Sequence, residues 1–151
     1  MSEQPLARNR KAYHNYAILE EYEAGMVLLG TEVKAIRDHG VSLKDSYARF
    51  KKNELWLENC HISPYSHASL DNHDPRRPRK LLLHRRQINK LIGKVVQKGL
   101  TLVPLALYLK GGKVKVRLAV ARGKRSYDKR ESKRRKVVER EVRAELKRRQ
   151  R

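Results

Sequence analysis

The chain has 151 residues, with 37 Lys and Arg against 16 Asp and Glu, which gives a formal charge of +21 and a pI near 10.5. That balance calls for a polyanionic partner whose binding weakens steeply as salt rises. It leaves little room for a membrane protein. No apolar run approaches the roughly 20 residues that span a bilayer, and one Trp and one Phe are too few for an interfacial anchor. The N-terminal MSEQPLARNRKAYH lacks the apolar centre of a secretory signal. Cys60 has no second cysteine with which to form a disulfide, which fits a reducing, cytoplasmic setting.

In chain order, residues 1–12 read as a polar, basic leader. Aromatic and β-branched residues over Tyr13–Leu19 predict a first strand, and Met26–Leu29 a second, separated by a turn at Glu23-Ala-Gly. Thr31 is placed as a helix cap, ahead of a short helix over Glu32–His39 that stops at Gly40. Tyr47–Lys51 and Leu55–Ile62 flank a polar turn and predict a hairpin, with Leu55 and Leu57 on one face and Trp56 and Glu58 on the other. Ser63–Lys80, rich in Pro, Ser, His, Asp and Asn, reads as a long loop, and a loop of that length inside a domain is usually functional. His84–Lys98 is the strongest helix, with Ile88, Leu91, Ile92 and Val95 on one stripe and Gly99 as its stop. Leu100–Leu109 and Lys113–Ala121 form the clearest hairpin around Gly111-Gly112, with a bulge or an edge position expected at Pro104. This much sheet around one good helix predicts a mainly β fold: a small closed antiparallel barrel of the oligonucleotide-binding type with accessory helices.

The last 30 residues, 122–151, hold 15 Lys and Arg, 5 Asp and Glu and six apolar side chains. Ordering each residue costs about 1–2 kcal/mol, which so little apolar area does not offset. The expected organisation is therefore an RNA-binding domain over 1–121 and a basic tail over 122–151, disordered alone and helical once phosphates neutralise it. Val138, Val142 and Leu146 lie four apart, and Glu139–Arg143 supports a helix at i, i+4 where Glu141–Glu145 opposes it. The body retains 22 basic and 11 acidic side chains, so it is basic in its own right.

Catalytic and metal chemistry find little support. Cys60 and His61, adjacent on a predicted strand, point to opposite faces. His67, His73 and His84 have no usual zinc spacing. The acids are scattered apart from Glu20, Glu21 and Glu23, and neither a phosphate-binding glycine loop nor a nucleophile elbow is present. No cofactor, metal or enzymatic activity is expected. Two patches fit RNA instead. From Arg76 to Arg86 there are six basic residues in 11 positions beside three leucines, and Asn9, Arg10, Lys11, Tyr13 and His14 mix charge with aromatic surface. Both combine phosphate neutralisation with groups that stack on splayed bases. Glu23 is read either as a turn-capping acid or as an acceptor for a base edge, which supplies specificity rather than affinity.

Ordered blocks along the chain carry a resemblance. They are Arg10-Lys-Ala-Tyr-His14, Glu23-Ala-Gly, Gly30-Thr-Glu-Val-Lys34, Ser42-Leu-Lys-Asp-Ser-Tyr-Ala48 and Asn59-Cys-His-Ile-Ser-Pro-Tyr65. They continue with His73-Asp-Pro, Arg79-Lys-Leu-Leu-Leu-His-Arg-Arg86, Val103-Pro-Leu, Arg122-Gly-Lys and Asp128-Lys-Arg130. Together they resemble the SsrA-binding protein (small protein B) family. The resemblance implies a non-enzymatic, monomeric adaptor that binds transfer-messenger RNA and delivers it to ribosomes stalled in translation. It implies RNA contacts at Asn9, His14, Glu23 and Leu82, with basic help from Lys80. It also implies that a tail comprising Gly123, Lys124, Tyr127, Asp128, Lys129 and Arg130 engages the decoding centre and the empty messenger channel. Composition alone supports a general ribosomal or RNA-chaperone protein equally well, and a small ribonuclease is the third class to separate by experiment.

Overall fold

The computed structural model describes residues 4–66, 72–124 and 140–144. Its strands are β1 (Gln4–Arg8), β2 (Tyr16–Met26), β3 (Val41–Ser42), β4 (Tyr47–Lys51), β5 (Glu54–Glu58), β6 (His61–Ile62), β7 (Arg79–Leu82), β8 (Thr101–Lys110) and β9 (Lys113–Gly123). Helices α1 (Arg10–Asn15), α2 (Gly30–Arg37) and α3 (Arg85–Ile92) lie between them, and α3 runs on into a π-helical turn, Gly93–Gln97. Residues 140–144 are helical and exposed.

Seven strands form one antiparallel sheet in the order β1-β8-β4-β5-β7-β2-β9, and β9 also pairs with β8. Strands β8, β4, β5, β7, β2 and β9 therefore make a closed circuit of pairings, with β1 added to β8. Strands β3 and β6 form a separate two-stranded ladder. Alternation sorts the side chains. Ala48, Leu55, Leu57, Leu81, Leu102, Leu107, Val116, Leu118 and Val120 turn inward and are buried together with Ile36, Leu43 and Leu91. The opposite positions form the outer face.

The two hairpins appear where alternation predicts them. Lys52 and Asn53 both have positive φ, 53° and 61°, as the two-residue turn of a tight hairpin demands. Gly111 and Gly112 do the same for β8 and β9. The β8–β9 register slips between Pro104 and Ala106, so the expected irregularity at proline is a bulge.

Elsewhere the expectation needs correction. The leader contains β1, because an added edge strand needs only five residues and a partner. Tyr13, expected in a strand, lies on α1, whose Ala12 packs on an outer patch of Val103, Leu105, Ala119 and Ala121. Glu23-Ala-Gly is no turn: it lies within β2, which runs unbroken to Met26 because Gly25 sits between Lys115 of β9 and Leu82 of β7. The helix cap falls at Leu29 rather than Thr31, and the Glu32 carboxylate accepts from the Leu29 N–H at 2.8 Å. The second hairpin strand ends at Glu58, and the long loop ends at Arg79, where β7 begins.

Candidate nucleic-acid interface

The sequence of β7 explains the site. Arg79 and Leu81 face inward, whereas Lys80 and Leu82 face out. Leu82 pairs with Gly25 and is 49% exposed. A Cβ on Gly25 would approach the Leu82 Cβ to 3.3 Å, so glycine lets this leucine lie flat across β2. Glu23, two residues back on the same face, is opposite Arg117 of β9, and Gly25 is opposite Lys115. The face thus presents an apolar side chain between a carboxylate and lysines.

Glu23 is held in place. Tyr108 donates its hydroxyl to Glu23 Oε2 at 2.6 Å, and Lys110 Nζ stands 3.2 Å from the same oxygen. The Arg117 guanidinium lies 5.2 Å from the centre of the Tyr108 ring, within cation–π range. The Tyr108 hydrogen bond, helped by Lys110, holds the Glu23 carboxyl below its ordinary pKa. It is therefore an ionised, acceptor-only group at neutral pH.

The other expected contacts divide. Lys80 points outward beside Trp56, with its ammonium 3.3 Å from Glu54. His14 is exposed at the end of α1. Asn9 is buried and its amide is engaged: Nδ2 donates to Pro104 O at 2.9 Å while its backbone N–H donates to Leu105 O at 2.8 Å. It fastens α1 to the β8 bulge and lines a cleft of about 290 Å³ with Lys11, Asn15, Asp45, Tyr47 and Thr101. Because α1 sits on Ala119 and Ala121, the N-terminal patch shares the outer face of β9 with Arg117 and Lys115, a juxtaposition that sequence spacing does not provide. Gly123 ends β9, and the Lys124 N–H donates to Asn15 O at 2.8 Å. Tyr127, Asp128, Lys129 and Arg130 lie outside the described residues.

The basic run from Arg76 to Arg86 is not a uniform phosphate patch. Arg79 is fully buried against Glu32, itself fully buried. Its Nε lies 2.6 Å from Glu32 Oε2, and its remaining donors reach the carbonyls of Cys60, Pro75 and Asp74. Arg77 completes the pair at 2.5 Å from Glu32 Oε1. Burial alone would raise the Glu32 pKa, but hydrogen bonds from Arg77, the Leu29 N–H and Arg79 outweigh it and lower the value. His73 belongs to the same frame: Nε2 donates to Ile62 O and Nδ1 is hydrogen-bonded to the Thr31 hydroxyl, each at 2.9 Å, so the ring ties α2 to β6. Sequence reading places Thr31 as a helix cap and Glu32 at the start of a helix, and neither role points to His73 or to Arg79. Among the described residues no cluster of three metal-ligating side chains occurs, and no helix is long and apolar enough to cross a membrane.

Fold and surface together define a small, basic, mainly antiparallel β protein whose outer sheet face is fitted to a polyanion. The chain belongs to the SmpB protein family, whose model matches residues 6–148. It is 58% identical over 137 residues to the SsrA-binding protein of Syntrophobacter fumaroxidans (strain DSM 10017 / MPOB), covering 91% of this chain and 85% of that one. It is 59% identical over 146 residues to the SsrA-binding protein of Mycobacterium sp. (strain KMS), covering 97% and 87%. A solved structure described as "tmRNA-SmpB: a journey to the center of the bacterial ribosome" matches with a TM-score of 0.64 and 51% identity, over 89% of this chain and 94% of that one.

Proposed function

We propose that this chain is the RNA-binding adaptor of ribosome rescue: it binds transfer-messenger RNA through its sheet and carries it to stalled ribosomes. The observation that supports the reading most directly is the group Glu23, Gly25, Leu82 and Lys115 on one outer face. There a flat apolar surface for a splayed base lies beside a fixed acceptor for a base N–H and a lysine for phosphate. In this reading the six-strand circuit is a closed barrel of the oligonucleotide-binding type. Leu82 and Glu23 select the RNA, Lys80 and His14 add contacts, and Asn9 positions α1. Residues 1–121 are the recognition domain. The tail over 122–151, with Gly123, Lys124, Tyr127, Asp128, Lys129 and Arg130, folds in the decoding centre and empty messenger channel. The protein works as a cytoplasmic monomer and catalyses no reaction.

Binding to transfer-messenger RNA and to ordinary transfer RNA across a salt series tests the recognition half. Leu82→Ala and Glu23→Gln should remove the preference while leaving the salt slope unchanged, since base contacts specify and phosphate contacts set the slope. A wild-type chain that shows no preference among structured RNAs would refute the reading in favour of a general RNA chaperone. Truncation after Arg122 should retain RNA binding and abolish peptide tagging on stalled ribosomes. Equal loss of both would refute the division of labour.

A further inference from the structure

On the β4–β5 outer face lies a cleft of about 440 Å³ lined by Arg49, Lys51, Lys52, Glu54, Trp56, Glu58, Arg77 and Pro78. Its floor is the only tryptophan of the chain, half-buried and placed between Arg49 of β4 and Lys80 of β7 by strand register. Two other aromatic rings carry internal cations: Lys34 lies 5.6 Å from the Tyr65 ring centre and Arg117 lies over Tyr108. The Trp56 ring has no such partner among the described residues.

The charges around it are sorted in the same way. Arg49 Nε is 2.7 Å from Glu58, Glu54 is paired with Lys80 at 3.3 Å, and Arg77 is held by Glu32. Both carboxylates of the cleft are thus neutralised by internal cations. Lys51 and Lys52 have no ion-pair partner among the described residues, and they occupy the last strand position and the first turn position of the β4–β5 hairpin. The half-buried Trp56 therefore lines one cleft with two ammonium groups that have no ion-pair partner among the described residues. By either route around the strand circuit, β5 is three pairings from β9, so this cleft faces away from Arg117 and α1.

We propose that the Trp56 cleft is a second, single-stranded RNA site, in which a base stacks on the indole against Pro78 and the flanking phosphates meet Lys51 and Lys52. An indole with no cation–π partner among the described residues, in a cleft with two lysines free of ion pairs there, matches the stacking platforms that hold single strands with little sequence preference. An acidic peptide would satisfy the lysines but leave the indole uncovered. The choice of nucleic acid among polyanions rests on the proposed function above, whereas the location of the site does not.

The site carries its own reporter, because Trp56 is the sole source of tryptophan fluorescence. Titrating the full chain with a short unstructured oligoribonucleotide should quench that emission saturably. Lys51→Ala combined with Lys52→Ala should weaken the quenching at least tenfold. It should also lower the salt slope by about 1.4, since each phosphate contact on a single strand adds about 0.7. The Glu23→Gln, Leu82→Ala chain should quench as the wild type does, even if it no longer recognises transfer-messenger RNA. Absence of quenching, quenching unchanged by loss of both lysines, or equal quenching by polyphosphate or polyglutamate would overturn the proposal. Loss of quenching in the Glu23, Leu82 double variant would also overturn it, by making the cleft part of the first interface.

Discussion

Replacing Glu32 by glutamine removes one negative charge from a fully buried site and changes almost nothing in volume. Arg79 then remains completely buried with its guanidinium facing an amide, and Arg77 loses its carboxylate. Breaking a buried ion pair from one side costs about 3–5 kcal/mol, because the surviving charge is left uncompensated. For a domain of this size each kcal/mol lowers Tm by about 4 °C, so Glu32→Gln should melt about 10–20 °C below the wild type in a circular-dichroism scan. The glutamine Oε1 can still accept from Leu29 N–H, which separates loss of charge from loss of the α2 cap.

The same pair gives a pH signature. The folded Glu32 pKa lies below its ordinary value because the arginines and the Leu29 N–H outweigh burial. Its contribution is therefore fully present above the unfolded carboxylate range, near pH 4.3, and is lost as pH falls through the folded pKa. Wild-type Tm should drop steeply on acidification below that range, and the Glu32→Gln curve should be flatter. A variant that melts within about 3 °C of wild type at neutral pH, or that keeps the full acid slope, would refute the claim that this triad holds Cys60, Asp74, Pro75 and β7 in place.

Three further outcomes follow from named contacts. Gly25→Ala should cost about 1 kcal/mol in urea unfolding, and adding Leu82→Ala should not relieve it, because the 3.3 Å approach is to Leu82 Cβ rather than to the end of its side chain. Asn9→Ala should cost about 1–3 kcal/mol by leaving the buried Pro104 carbonyl without its donor, with Asn9→Asp worse because a carboxylate would then face that carbonyl. Cys60 is buried and its thiol pKa is pushed up to about 11 by desolvation, so at pH 8 a thiol-reactive disulfide should label it slowly in the folded chain and rapidly in urea; rapid labelling without urea would contradict that burial.

The parts of the fold legible in the sequence are those whose signal is local. The hairpins Tyr47–Lys51/Glu54–Glu58 and Thr101–Lys110/Lys113–Gly123 join strand-forming runs, with clear apolar–polar alternation in Lys113–Gly123, through turns that supply positive φ. Helix α3 likewise has its own stripe. What misled is equally physical. Gly25 reads as a turn residue, yet glycine serves there for close packing under Leu82, a contact 57 positions away in sequence. Strand β7 is four residues long and begins with an arginine, and nothing local shows that Arg79 faces inward. Its partner Glu32 lies 47 residues earlier, so neither residue alone distinguishes a buried pair from two solvated charges. Of the candidate site, Glu23, Leu82 and Lys80 lie on outward-facing strand positions, as alternation about Leu81 and Ala24 allows a reader of the sequence to expect. The burial of Asn9 was not legible, because its hydrogen bonds go to carbonyls at the β8 bulge.

The opposition between net charge and site location follows from this. A count of +21 says that the chain meets a polyanion and leaves every cation equally eligible. Pairing removes that equality: Arg79 and Arg77 are engaged by Glu32, Arg49 by Glu58, Lys80 by Glu54, Lys94 by Glu20 and Lys110 by Glu23. Each acid of the body that pairs in this way withdraws a cation from phosphate binding and fixes a piece of backbone instead. Among the described residues, Lys51, Lys52 and Lys115 are among the cations with no acid at ion-pair distance, and they stand beside the half-buried Trp56 and the exposed Leu82, surfaces on which bases can lie. The acids of a basic protein therefore do more to locate its binding surfaces than the excess of lysine and arginine does.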